Sequence, residues 1–132
     1  MPAWLRLVRI YNKIDLRSAR HFRALGLTCA QFDVLAQVGV HEGITQGELA
    51  GLLFVTKGNI SQILDRMEEQ NLLKRCQEGR TKSLVLTDRG RALYAEAVPS
   101  QERLIDELFK VLAPEEQAQL TQLLRKLDHS LV

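Results

Sequence analysis

The stretch VTKGNISQILDRMEEQNLLKR (residues 55–75) reads as an amphipathic helix with an unusual polar face. Ile60, Ile63, Leu64 and Met67 recur at the three- and four-residue steps of one apolar stripe. The other side opens with Lys57, Gly58, Asn59, Ser61 and Gln62, small and amide-bearing residues where a solvated helix would ordinarily carry long paired charges. Thr56 suits the N-cap, Val55 can staple against Ile60, and Asn71 suits the left-handed residue that ends a helix. The spacing predicts a helix over residues 57–70. A helix lying in the major groove of DNA needs such a face: amides for adenine, Lys or Arg for guanine, hydroxyls for either. Lys57, Asn59, Ser61 and Gln62 meet that need at the amino end, and Gly58 permits close backbone approach to a phosphate.

Working outward, Thr45 and Glu48 have capping-box spacing and open a short helix in which Leu49, Leu52 and Leu53 are expected to be buried. Small Ala50 allows close packing within the unit. Only Phe54, Val55 and Thr56 separate this helix from the next, the short turn of a helix-turn-helix. On the other side, LLKRC (72–76) and SLVLT (83–87) read as two short strands around QEGRTK (77–82), with Gly79 near the tip. A helix-turn-helix followed by a basic hairpin bearing Arg80 and Lys82 is a winged helix.

Towards the amino end, Thr28 and Gln31 form a second capping-box pair, opening a helix with Phe32, Leu35 and Val38 inward and its end before Gly39. Residues 3–25 carry Trp4, Val8, Tyr11, Ile14, Phe22 and Leu25 on one helical face, ending at Gly26. Arg6, Arg9, Lys13, Arg17 and Arg20 lie on another. Towards the carboxyl end, Thr87 caps a long helix through residue 112 that Pro99 should kink. Pro114 fits the first turn of a last helix striped by Leu120, Leu123, Leu124, Leu127 and Leu131. A chain of this size would struggle to cover that stripe alone, which favours dimerisation.

The fold class is therefore mainly α with a small two-stranded β wing. With 132 residues, 45% hydrophobic and 26% charged, the chain suits a globular domain with a modest core rather than an enzyme with a deep cleft. No apolar run approaches the ~18–20 residues that span a bilayer, and the first residues lack a cleavable leader pattern, so a cytoplasmic protein without a membrane partner is expected. Two cysteines and three scattered histidines offer neither a disulfide framework nor metal-ligand spacing, and no metal or cofactor is expected. Ser61 and Ser83 lack a nearby base, and His21, His41 and His129 are scattered, so an enzyme fits poorly. Net charge is +2, but residues 1–25 hold six basic residues against one acid, whereas residues 92–132 hold four against seven. Local placement must then decide what the protein binds.

LTCAQFDVL (27–35), TQGELAGLL (45–53), LDRMEEQNLLKR (64–75), LVLTDRG (84–90) and LAPEEQAQLTQLLRKL (112–127) resemble, in that order, the MarR (multiple-antibiotic-resistance regulator) transcription factors. The resemblance implies a homodimer with helical dimerisation regions at 1–27 and 91–132 and a winged helix-turn-helix lobe at 28–90. It implies a repressor that reads a pseudo-palindromic operator in double-stranded DNA. It places Gly58, Asn59 and Gln62 at base-contacting positions and Arg80 at the wing arginine; Thr56, Lys57, Ser61, Arg66 and Lys82 complete the expected contact set. Glu78-Gly79-Arg80 stands where the family has Asp-Arg-Arg, leaving one basic residue fewer. An effector, if one is used, would be a small aromatic or anionic compound between the dimerisation helices and the lobe, with Tyr11, Arg17 and Phe32 as lining candidates. Cys29 lies at a helix amino end, where the dipole can lower a thiol pKa. The family's peroxide sensors carry their cysteine in the first helix instead, so a packing role is the expectation. The alternative to a DNA reader is a protein-interaction dimer that keeps the fold alone.

Overall fold

A computed structural model describes residues 2–53 and 57–131. In chain order the elements are α1 (Pro2–Ala24), α2 (Cys29–Val40), α3 (Gln46–Leu53), α4 (Lys57–Glu69), β1 (Leu73–Glu78), β2 (Thr81–Leu86), α5 (Asp88–Phe109) and α6 (Pro114–Ser130). Two compact units are present, Met1–Gln101 and Glu102–Val132.

Helix ends follow the local chemistry of the sequence. At α2 the Gln31 N–H donates to Thr28 Oγ1 (3.1 Å) while the Thr28 N–H donates to Gln31 Oε1 (3.0 Å). Thr45 and Glu48 make the same reciprocal pair at α3, both bonds 3.1 Å. Each pair satisfies two of the donors that a helix start leaves orphaned. Gly26 (φ 76°) and Asn71 (φ 59°) take the left-handed conformation after α1 and α4. Beyond them the Leu27 N–H reaches Phe22 O (2.9 Å) and the Leu72 N–H reaches Met67 O (3.0 Å), the six-to-one bond of a Schellman end. The expected cap Thr56, its staple partner Val55 and the whole inter-helix turn lie outside the described residues.

The core of the first unit gathers Val34, Leu35 and Val38 of α2, Leu49 and Ala50 of α3, Ile60, Leu64 and Met67 of α4, and Leu73, Leu84 and Leu86 of the hairpin. Two expectations, for Leu52 and Gly39, need correcting. Leu52 is half exposed at 50%, because an eight-residue helix turns only part of its surface inward and Leu49 and Ala50 occupy that part. Helix α2 runs through Gly39 to Val40: the glycine does not stop the helix but admits the ring of Tyr94, which a Cβ there would strike. On α1 the apolar face is largely uncovered, with Trp4 and Tyr11 59% and 69% exposed and only Phe22 of that stripe buried.

Strands β1 and β2 pair antiparallel from Leu73↔Leu86 to Glu78↔Thr81, which leaves Gly79 and Arg80 as a two-residue turn rather than the six-residue loop expected. Gly79 has φ 61° and Arg80 does not share the positive φ, the pattern of a type II′ turn, whose twist matches that of the strands. Residues between α2 and α3 extend the ladder: the Gly43 N–H donates to Leu84 O (2.8 Å) and the Leu84 N–H to Ile44 O (2.9 Å). The Thr87 hydroxyl accepts from the Gly90 N–H (3.0 Å) and donates to Asn71 O (2.6 Å), tying the start of α5 to the end of α4. Pro99 sits inside α5, and near it His21 Nε2 lies 2.7 Å from Ser100 Oγ while Gln101 Nε2 donates to Ser18 Oγ (2.9 Å). These two bonds join α1 to α5 across a surface where Ser18 and Ala97 are buried.

Two glycines pack against different obstacles, and their replacement separates the two. A Cβ on Gly90 would drive into the carbonyl of Leu72, which is already held by the Thr87 N–H at 3.1 Å. A Cβ on Gly39 meets only the half-buried Tyr94 ring, which can swing aside. Gly90→Ala is expected to cost about 2–4 kcal/mol in urea unfolding and Gly39→Ala about 1–2 kcal/mol.

Candidate nucleic-acid interface

Burial of Ile60, Leu64 and Met67 at zero exposure fixes the rotation of α4 about its axis. At roughly 100° per residue, Gly58, Asn59, Gln62 and Arg66 then share an outward arc about 100° wide, with Ser61 about 60° beyond it towards the core. Gly58, Asn59, Gln62 and Arg66 are exposed and Ser61 is half-buried. Lys57 opens the helix, but its side chain, like all of Thr56, lies outside the described residues.

Gly58 is informative because nothing in the described chain requires it. Its φ is not positive, and a Cβ built on it meets open space. A glycine in an exposed helical turn sacrifices roughly 1 kcal/mol of helix propensity relative to alanine. Among the described residues neither conformation nor packing, the two usual reasons for accepting that cost, accounts for it, and close approach by something outside the chain supplies a third.

Charge along this face is polarised. The amino half carries amides, a hydroxyl and Lys57 with no acid, whereas in the carboxyl half Asp65, Glu68 and Glu69 outnumber Arg66. The helix dipole adds negative potential at that same end. A polyanion is thus received more favourably at the amino end than at the other.

The wing is tied to α4 by an ion pair. Arg75 of β1 bonds through Nε to Glu68 and through Nη2 to Asp65, with its side chain only 15% exposed. Burial opposes the guanidinium charge, yet the bonds to Asp65 and Glu68 hold its pKa above the ordinary arginine value. From this anchor the strand advances roughly 10 Å to Glu78 and the turn beyond it. Arg80 and Lys82 are exposed there. The Gln77 side-chain amide on Gly79 O (2.7 Å) and the Thr81 hydroxyl on Glu78 O (3.0 Å) brace the turn.

With this geometry in view, the chain can be set beside known proteins. The sequence pattern of the MarR family matches residues 25–82, and an HTH-type transcriptional regulator of Bacillus cereus is 40% identical over 124 residues, covering 93% of this chain and 84% of that one. The chain belongs to the MarR family. The HTH-type transcriptional repressor MdtR of Bacillus subtilis is 27% identical over 93% of the chain and 81% of its own length. A mutant MarR from E. coli complexed with operator DNA superposes with TM-score 0.87 at 28% identity, covering 96% of this chain and 94% of that one. A MepR–DNA complex from S. aureus shares the fold at TM-score 0.88 and 24% identity, covering 97% and 96%.

Of the other residues singled out in the sequence, Tyr11 and Arg17 are exposed on α1 but, six residues apart, point about 120° away from one another. Tyr11 and Arg17 thus do not share a face of α1. Phe32 is engaged elsewhere, its ring stacked on Phe22 at 4.2 Å. Cys29 departs from the dipole argument: burial first, then the charge of Asp15, pushes its thiol up, away from the reactive thiolate. Its Sγ–H points at Asp15 O from 4.0 Å. The charge of Asp15 also raises the Tyr11 hydroxyl, and burial with Asp15 raises the Asp33 carboxyl. Arg75, Asp65 and Glu68 carried no assigned role in the sequence reading. Their pairing is tertiary, and no local spacing announces it.

Gly58→Ala should leave thermal unfolding unchanged or raise it, by up to about 1 kcal/mol of helix propensity. The same methyl should weaken binding to duplex DNA in a mobility-shift titration. A variant that binds as tightly as the parent would remove the external reason for the glycine.

Proposed function

We propose that the chain is a cytoplasmic, sequence-specific reader of double-stranded DNA and a transcriptional repressor, acting as a homodimer on a pseudo-palindromic operator. The observation that carries this reading is the amino end of α4: exposed amides beside a half-buried hydroxyl and a Gly58 that no described contact requires, on a helix tied by Arg75 to a hairpin with an exposed basic tip. Membership of a family whose relatives are named transcriptional regulators supports it, as does likeness to a structure solved on operator DNA. Among the described residues no helix is long and apolar enough to cross a membrane.

In this reading Gln62 and Asn59 read base edges, Arg66 and Lys82 contact phosphates, and Arg80 supplies charge at the backbone or minor groove. The winged lobe, residues 28–90, does the reading, and the terminal helices, 1–27 and 91–132, hold two lobes together. Leu123 and Leu127 of α6 and Leu131 at its C-cap are 61%, 50% and 74% exposed, which leaves the apolar surface that such an interface needs. Two amino ends entering successive major grooves require half-sites centred about one helical turn apart.

Helix and wing should fail in different ways. Gln62→Ala should cost ~1–3 kcal/mol on the preferred operator, relax discrimination at the contacted base pair and leave the salt slope almost unchanged. Arg80→Ala should weaken preferred and unrelated duplexes together and lower the salt slope by about 2 per dimer, one contact per wing. Titrations of both variants at several salt concentrations, on specific and scrambled DNA, check this; equal losses of Gln62→Ala on both sequences would remove α4 from the reading role. Truncation after Ala113 should convert a sedimenting dimer into monomer or aggregate, and a clean dimer would dismiss α6 as the dimerising element.

A further inference from the structure

Arg75 lies at neither DNA-facing tip, yet it is the ionic link between the two elements that carry them. The hairpin is anchored at its base by buried Leu73, Leu84 and Leu86, while residues 76–82 are all exposed or, at Cys76, lie on the exposed strand face. Strand β2 is held on one side by backbone bonds to Gly43 and Ile44 and by the Thr45↔Ser83 bridge. Strand β1, on the other side, meets α4 through the Arg75 guanidinium, whose fork spans two carboxylates one turn apart. A hairpin tied along one strand can pivot about that tie; a charged fork on the opposite strand removes the freedom.

We propose that Arg75 is a positioning residue, which with Asp65 and Glu68 sets the angle of the wing to α4 so that both meet one duplex as a rigid pair. The proposal rests on the DNA-reading function above, and it deepens that reading by naming what fixes its geometry. Preorganisation is the physical gain: a wing already aligned loses less freedom on binding than one that must find its place.

The sign of two substitutions separates positioning from plain electrostatics. If these groups act only as charges near a polyanion, removing Arg75 weakens binding and removing Asp65 and Glu68 strengthens it. If they act as a clamp, breaking it from either side weakens binding. Arg75→Ala and the double change Asp65→Asn with Glu68→Gln should each lower affinity for a duplex selected by the parent from a random library, about three- to tenfold. Arg75→Lys, which can meet a carboxylate but lacks the fork, should fall between parent and alanine. Amide hydrogen exchange without DNA should quicken across residues 73–86 in the alanine and double variants, with α2 and α3 unchanged. Tighter binding by the double variant, or wing exchange equal to the parent's, overturns the proposal. A parent that selects no duplex overturns the DNA reading instead, and wing exchange then decides the clamp by itself.

Discussion

The rotation of one helix governs what this protein can present. Three side chains, Ile60, Leu64 and Met67, are withdrawn completely from water, and each contributes roughly 1.5–3 kcal/mol by that burial. Rolling α4 by one residue would expose all three and bury polar groups without partners, at a cost that exceeds the margin of a small domain. The outward face is therefore not adjustable. Gly58, Asn59 and Gln62 stand outward because the opposite stripe stands inward, and the reading face is in this sense a by-product of the core.

What the sequence made legible was local. Capping pairs at Thr28 and Thr45, the left-handed ends at Gly26 and Asn71, and the stripe of α4 all depend on residues within a turn or two of each other, and all stand in the structure. Expectations that slipped depended on partners distant in the chain. Gly39 looked like a helix stop because glycine often is one; only the Tyr94 ring, fifty-five residues away, explains it as a helical residue. Leu52 carried the right spacing, but an eight-residue helix has room for fewer inward positions than its apolar residues could fill. The hairpin loop was drawn too long because polar Gln77, Glu78, Thr81 and Lys82 lack the apolar alternation of a buried strand, although an exposed ladder needs none. The site divided in the same way: the amide-rich face could be read from its own spacing, whereas the Arg75 link to α4 needed the fold.

Electrostatics sharpen the polarity that packing establishes. The carboxyl half of α4 carries three acids against Arg66, and the Arg75 guanidinium answers two of the acids, leaving that half with a small net negative charge. A reader made this way gains discrimination by exclusion as well as by contact, since a duplex laid along the whole helix meets repulsion while one at the amino end does not. Cys29 illustrates the opposite case, where a favourable dipole is overruled. Its position at the start of α2 would suit a reactive thiolate, but burial and the neighbouring Asp15 both penalise that charge.

The small net charge of +2 bears on why two lobes are needed. Affinity for DNA that comes from counterion release scales with the number of phosphates neutralised, and a lobe offering Arg66, Arg80 and Lys82 beside Asp65, Glu68 and Glu78 neutralises few. A single lobe therefore binds weakly on any sequence. Joining two lobes turns the second contact into an intramolecular event at high effective concentration, and the gain survives only if their spacing matches that of the half-sites. The apolar surface left uncovered on α1 and α6 is thus coupled to reading under the proposed homodimer: it sets the separation of the two α4 amino ends, while Arg75 sets the wing within each lobe. Modest contacts made at fixed spacing discriminate better than strong contacts made loosely, because each misplaced half-site forfeits the joint term and not merely its own share.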